Sequence, residues 1–103
     1  IDWNATYDHR CDVYSFGMLL WEAMHSSTPF KEMPPIMALK AATKGVRPEI
    51  SLPADRARFV PIITSCWAHD PSQRPEMMHV LQMLLEAEAE LQADMEAKAL
   101  ESE

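Results

Sequence analysis

Asp12-Val13-Tyr14-Ser15-Phe16-Gly17-Met18-Leu19-Leu20-Trp21-Glu22-Ala23-Met24 is the stretch whose reading decides the fold. At 3.6 residues per turn it sets apolar or small side chains on every face, and only Ser15 and Glu22 interrupt it. A surface helix keeps one apolar stripe; one that is apolar all round must be enclosed. The run is too short for a bilayer, which needs about 20 apolar residues. It therefore reads as the central helix of a water-soluble domain. Asp12 is expected to be its N-cap, accepting from the free amides of the first turn at the positive end of the helix dipole.

A helix of that kind needs more wall than this chain offers. A domain of 103 residues buries only about two thirds of its unfolded surface. Three further helices are expected, which leaves one side of the central helix under-covered. The chain opens on Ile1 with no charged-then-apolar leader, so it reads as a piece whose N-terminal portion lies elsewhere. No membrane segment is expected within it, and the cytoplasm is the default location.

The formal charge is −7, and −6 of it falls between Glu86 and Glu103. No clustered basic face is left for a phosphate backbone, so no nucleic-acid partner is expected. Cys11 and Cys66 are isolated thiols without metal-ligand or disulfide spacing and read as reduced, packed side chains.

Outward from the central helix, Ile1 to Cys11 is expected to be an irregular loop. His9-Arg10-Cys11-Asp12 resembles a phosphotransferase catalytic loop, but its spacing is wrong by one residue. Gly17 also stands where a metal-holding Asn would be needed. On the other side, Pro29 is expected to end the helix. A second helix is expected from Pro35 to Lys44, with prolines suited to its first turn and Gly45 to its C-terminal cap. Lys40, Lys44 and nearby Arg47 would form its outward face. Arg47 to Pro53 reads as extended linker, and a third helix begins near Asp55 or Arg58 with Pro61 in its first turn. Trp67 is expected to be a core residue closing that helix. Arg74-Pro75 is expected to open a fourth helix, with proline at its first position and Glu76 in its first turn. Beyond Leu85 the composition shifts to alanine and glutamate, predicting a solvated helical extension. Two domains of composition result: 1–85 and an acidic helical tail, 86–103.

The residues alone build no active site. Only Gly17 and Gly45 are available for a phosphate-cradling loop, and Ser65, His69 and Asp70 sit within a single turn. Asp12 and Arg74 are the informative polar residues. Each abuts a dense apolar segment, and removing the partner of such a charge costs about 3 to 5 kcal/mol. No carboxylate in the sequence is a fixed partner for Arg74, so a partner is expected outside the chain.

Asp12-Val13-Tyr14-Ser15-Phe16-Gly17, Leu19-Leu20-Trp21-Glu22, Pro29-Phe30, Arg47-Pro48, Cys66-Trp67, Asp70-Pro71 and Arg74-Pro75 occur in an order and at gaps that resemble the last part of a eukaryotic protein kinase domain, in the tyrosine-kinase and tyrosine-kinase-like branch. The resemblance runs from about Tyr7 to Leu85. Pro29-Phe30 without glycine leans it toward serine/threonine enzymes. It implies an all-α chain as present, the C-terminal half of a large helical lobe whose full parent is α+β. It also implies that Asp12 holds the backbone of the catalytic loop, that Leu19 and Ala23 support the side chains stacked beneath the adenine, and that Arg74 pairs with the glutamate closing the activation segment. The Pro35–Lys44 helix would match one used for docking, with Lys40 and Lys44 exposed. ATP, magnesium and the proton-abstracting Asp would belong to the absent part of the parent, and none is expected to be bound here. The implied partners are that N-terminal portion and a protein substrate. A pseudokinase scaffold and a free-standing helical interaction module are the rival readings.

Overall fold

The computed structural model describes residues 9–101. Its elements are α1 (His9–His25), α2 (Pro35–Thr43), a 3₁₀ turn (Ala54–Phe59) that runs directly into α3 (Val60–Cys66), a second 3₁₀ turn (Pro71–Gln73) and α4 (Met77–Glu101). Among the described residues there is no strand, as the all-helical reading expects.

α1 is the hub. Val13 lies in an apolar cluster with Phe59, Ile62, Cys66, Val80 and Ala87, and Phe16, Leu20 and Met24 pack against it. Trp21 lies in a second cluster with Ile63 and Trp67, joined by Tyr14 and Met18. Gly17 sits between them, and a β-carbon there would meet the Cys66 β-carbon at 2.7 Å, so the backbones of α1 and α3 lie almost against each other. The described body measures 60 × 32 × 15 Å. Cα atoms lie about 2.3 Å from a helix axis and packed axes are about 8–10 Å apart, so the thin dimension holds no more than two layers of helices. Its radius of gyration, 16.1 Å, exceeds the roughly 13 Å of a compact 100-residue domain. An α1 that is apolar all round cannot be sheathed in a raft that thin. Leu19 is 59% exposed, and Asp12, Ser15 and Ala23 beside it are exposed too.

Local chemistry moves several boundaries. The expected loop up to residue 8 lies outside the described residues, but His9, Arg10 and Cys11 are already helical. Asp12 is thus not the N-cap; it stands within the first turn, where its charge still faces the positive end of the dipole. α1 ends before Pro29, at Ser26, whose left-handed backbone (φ 49°) lets the Ser27 amide donate to the Glu22 carbonyl at 3.4 Å. α2 ends on Gly45 (φ 91°), with Gly45 N donating to Ala42 O and Val46 N to Ala41 O, the paired bonds of a left-handed glycine cap.

α4 starts at Met77, not at Pro75. Arg74 is extended (ψ 137°), the conformation a residue before proline prefers, and the first turn hangs from the Glu76 carbonyl, which accepts from His79 N and Val80 N. At its other end α4 passes through Leu85 without a break. Ala87 is buried, Leu91 packs on the first cluster, and Arg58 binds the carboxylates of Asp94 and, at 3.8 Å, Glu90. The acidic segment is therefore docked as far as Asp94. The expected solvated extension is confined to Met95–Glu101.

Candidate functional site

The polar groups gather at the N-terminal end of α1, where it meets the Pro71–Gln73 turn and the start of α4. Arg74 is the centre. Its Nε donates to the Ala68 carbonyl at 2.8 Å and its Nη1 to the Arg10 carbonyl at 2.8 Å. Arg10 reciprocates, with Nη1 donating to Pro71 O at 2.8 Å and to Arg74 O at 3.4 Å. The two arginines thus clasp each other's backbone and tie α1 to the turn that precedes α4. Tyr14 fixes the arrangement, since the guanidiniums of both Arg74 and Arg47 lie 4.9 Å from its ring centroid.

Arg74 is therefore not the orphan that its sequence neighbours suggest. Backbone carbonyls and an aromatic face serve it in place of a carboxylate. Burial lowers its pKa and the like charge of Arg47 acts in the same direction, but it remains a cation. Arg47, expected on the outward face of α2, turns inward instead. Its Nε donates to Trp67 O at 2.8 Å and its Nη1 to Ala42 O at 3.0 Å, pinning the end of α2 to the end of α3. Asp70 caps the Pro71–Gln73 turn by accepting from the Ser72 hydroxyl and amide. Those bonds, helped by Arg10 and Arg74, hold its carboxyl below the usual range.

Two clefts flank Arg74. One, of about 390 Å³, is lined by Arg10, Asp12, Glu76 and Met77 among others. The other, of about 350 Å³, is lined by Tyr14, Ser15, Thr43, Arg47 and His69, with Cys11 at its edge. Among the described residues no carboxylate is bonded to Arg47 or Arg74, so the second cleft presents two cations to whatever enters it. That is an anion-receptive wall, not a reaction centre. Ser65 donates its hydroxyl back to Ile62 O at 3.0 Å, which takes it out of any nucleophilic role with His69. Cys66 is fully buried, and burial pushes its thiol up to about 11. Among the described residues no three His, Cys, Asp or Glu side chains converge as a group that could hold a metal ion. No described helix is long and apolar enough to cross a membrane.

Asp12, Leu19 and Ala23 fall within about 40° of one another at about 100° per residue. They form the bare arc of α1, opposite the side that packs on α3. Trp67 is buried against Trp21 and Ile63, far from that arc in its contacts. Lys40 and Lys44 stand exposed on and just after α2. Sequence reasoning missed the two guanidiniums over Tyr14 and the Arg10 clasp. It also missed His25, which stacks on Trp21 at 4.3 Å, bonds to Trp21 O through Nδ1 and accepts from the Ser51 amide at Nε2. A histidine four residues after a tryptophan at a helix end was the available signal for the stack.

Comparison with known proteins bears on what this arrangement serves. Residues 3–84 match the profile described as protein tyrosine and serine/threonine kinase. The serine/threonine-protein kinase STY46 of Arabidopsis thaliana is 32% identical over 96 residues, covering 92% of this chain and 16% of that protein. Mitogen-activated protein kinase kinase kinase 7 of Homo sapiens is 34% identical over 85 residues, 79% of this chain and 14% of its own length. The probable serine/threonine-protein kinase drkC of Dictyostelium discoideum is 33% identical over 82 residues, with 79% and 11% covered. The chain thus spans about one sixth or less of these relatives.

Proposed function

Because this chain belongs to the protein tyrosine and serine/threonine kinase family, of the tyrosine-kinase-like type, we propose that it forms the C-terminal half of a kinase's large helical lobe and serves as the platform on which the catalytic half is assembled. The parent transfers the ATP γ-phosphoryl group to serine or threonine hydroxyls of a protein substrate in the cytoplasm. ATP and magnesium are held by the other part of that parent. The observation that carries this reading is the bare arc of Asp12, Leu19 and Ala23, on a helix whose remaining faces are packed. Asp12 would fix the backbone of the catalytic loop, and Leu19 and Ala23 would support the side chains beneath the adenine. Arg74, already held by two carbonyls, keeps guanidinium edge toward the clefts for the glutamate that closes the activation segment, and Arg47 reinforces the charge. Trp67 would hold α3 against the platform. Lys40 and Lys44 would face a docking protein. By itself the chain transfers no phosphate.

A chimera tests this. Residues 3–84 replace the matching segment of mitogen-activated protein kinase kinase kinase 7, and phosphate transfer from ATP to a generic serine/threonine substrate such as myelin basic protein is measured. Transfer by the chimera, its loss in the Asp12→Ala and Arg74→Ala versions, and none by the isolated chain are the expected results. A folded chimera without activity, or phosphotransfer by the isolated chain, overturns the reading.

A further inference from the structure

α2 is the anomaly of the fold, for none of its residues is buried. Ile36 is 69%, Met37 55% and Leu39 67% exposed, more than an isolated nine-residue helix would hold out to water without cause. Only its C-terminal end is fastened, through Arg47 to the Ala42 carbonyl and the Gly45 cap. Lys40 and Lys44 rise beside the apolar residues, and no described carboxylate pairs with either. The face is apolar in its first turn, with Lys40 in the second and Lys44 just past the helix end.

The complement of that face is on the same chain. α4 continues to Glu101, beyond residue 84 where the family match ends. There Glu88, Gln92, Met95, Glu96 and Leu100 are all exposed; Met95 is 56% and Leu100 71% exposed. Acids and large apolar side chains alternate along it. The 86–103 segment bears −6, against two lysines and no acid between Pro35 and Lys44.

We propose that α2 of one copy receives the distal half of α4 of a second copy, with Lys40 and Lys44 against Glu88 and Glu96 and with Ile36 and Met37 against Met95 and Leu100. The two surfaces differ, so the contact is head-to-tail and propagates beyond a dimer unless it closes into a ring. A nine-residue helix buries less than a standard interface, so association is weak and salt-dependent. The inference names an occupant for the helix assigned to docking in the kinase reading and rests on that assignment for α2 alone.

Sedimentation velocity on the whole chain at low and high salt tests it. Concentration-dependent assembly at low salt is expected, weakened about tenfold by Lys40→Glu with Lys44→Glu and equally by Glu88→Lys with Glu96→Lys. An equimolar mixture of the two reversed variants should assemble again, because each then offers the other matched charges. Four surface substitutions leave the core untouched, and circular dichroism verifies that the helices remain. A chain that stays monomeric throughout, an assembly indifferent to the reversals, or a mixture that fails to recover overturns the proposal. The chimera of residues 3–84 carries neither Glu88 nor Glu96, so the two failures separate. Its phosphotransfer tests the kinase reading, whereas sedimentation of the whole chain tests the self-association.

Discussion

Gly17→Ala puts the contact between α1 and α3 to the test, and the sign of its effect is opposite to the usual one. In an exposed helix interior, replacing glycine by alanine gains about 1 kcal/mol. Here the new β-carbon would lie 2.7 Å from the Cys66 β-carbon, with Trp67 N at 3.4 Å and the Cys66 carbonyl carbon at 3.5 Å behind it. Carbon atoms rest about 3.5–4.0 Å apart, so the overlap is about 1 Å. No rotamer change relieves it, because a β-carbon is fixed to its backbone and Cys66 is fully buried. The helices must separate, which opens the Trp21–Ile63–Trp67 cluster as well. Overpacking of this kind costs about 1–3 kcal/mol, and after the propensity gain of about 1 kcal/mol a net loss of up to about 2 kcal/mol remains. Urea unfolding followed by tryptophan fluorescence reads it directly, since Trp21 and Trp67 are both buried beside the contact. The partner substitution is Cys66→Gly. It is destabilising alone, but on that background Gly17→Ala should be neutral or stabilising, a coupling of about 1–3 kcal/mol. Cys66→Ala retains the β-carbon and should give no such rescue. A rise in stability for Gly17→Ala in the unaltered chain would refute the close approach of α1 and α3, and with it the assignment of α1 as hub.

Three further outcomes are expected of the same fold. Arg74→Lys should lower stability by about 1–3 kcal/mol in urea unfolding, because one ammonium cannot span Ala68 O and Arg10 O while lying over Tyr14; an unchanged midpoint would mean the clasp contributes nothing. His25→Phe keeps the ring against Trp21 but loses the acceptor for the Ser51 amide, so hydrogen exchange at Ser51 should speed up and stability should fall by about 1 kcal/mol. Cys66 has its thiol raised from 9.0 to about 11 by burial, so the unfolded chain loses that proton first as pH rises. Stability is unaffected by this group below about pH 9 and should fall by about 1.4 kcal/mol per unit from there until about pH 11. A Cys66→Ala chain whose alkaline stability profile matches that of the unaltered chain would contradict it.

How much of this was legible in the sequence depended on whether the relevant partner was a side chain or the backbone. The under-covered α1 was readable, because a run apolar on all faces can be set against the number of helices available to cover it. Pro61 in the first turn of α3 was readable from the missing amide alone. The satisfaction of Arg74 was not. Its partners are the carbonyls of Ala68 and Arg10 and the ring of Tyr14, none of which a search for opposite charge would find. The inward turn of Arg47 escaped for the same reason, since its acceptors are helix-terminal carbonyls. The start of α4 was misplaced because Pro75 suits a first helical position, yet it also forces Arg74 to be extended, and the arginine's reach back to α1 settles the competition. The composition break after Leu85 concealed a docked helix because Ala87 is small enough to be buried among acids and Arg58 neutralises two of them.

The bare arc of α1 also constrains whatever covers it. Its N-terminal end presents the Asp12 carboxylate and the Ser15 hydroxyl, and its C-terminal end presents Leu19 and the methyl of Ala23. A cover made only of apolar side chains would desolvate the Asp12 carboxylate without a donor, at a cost of several kcal/mol that burying Leu19, worth about 1.5–3 kcal/mol at most, would not offset. A wholly polar cover would leave Leu19 and Ala23 unprotected. The segment that fits must bring unpaired backbone amides or other donors to Asp12 and turn apolar two helical turns later, where the small Ala23 leaves room for larger side chains. An irregular loop leading into a packed element has that order, whereas a second uniform helix laid along α1 does not. The polarity gradient along three turns of α1 thus favours a loop at one end and a packed element at the other, the division that the roles proposed for Asp12, Leu19 and Ala23 would need.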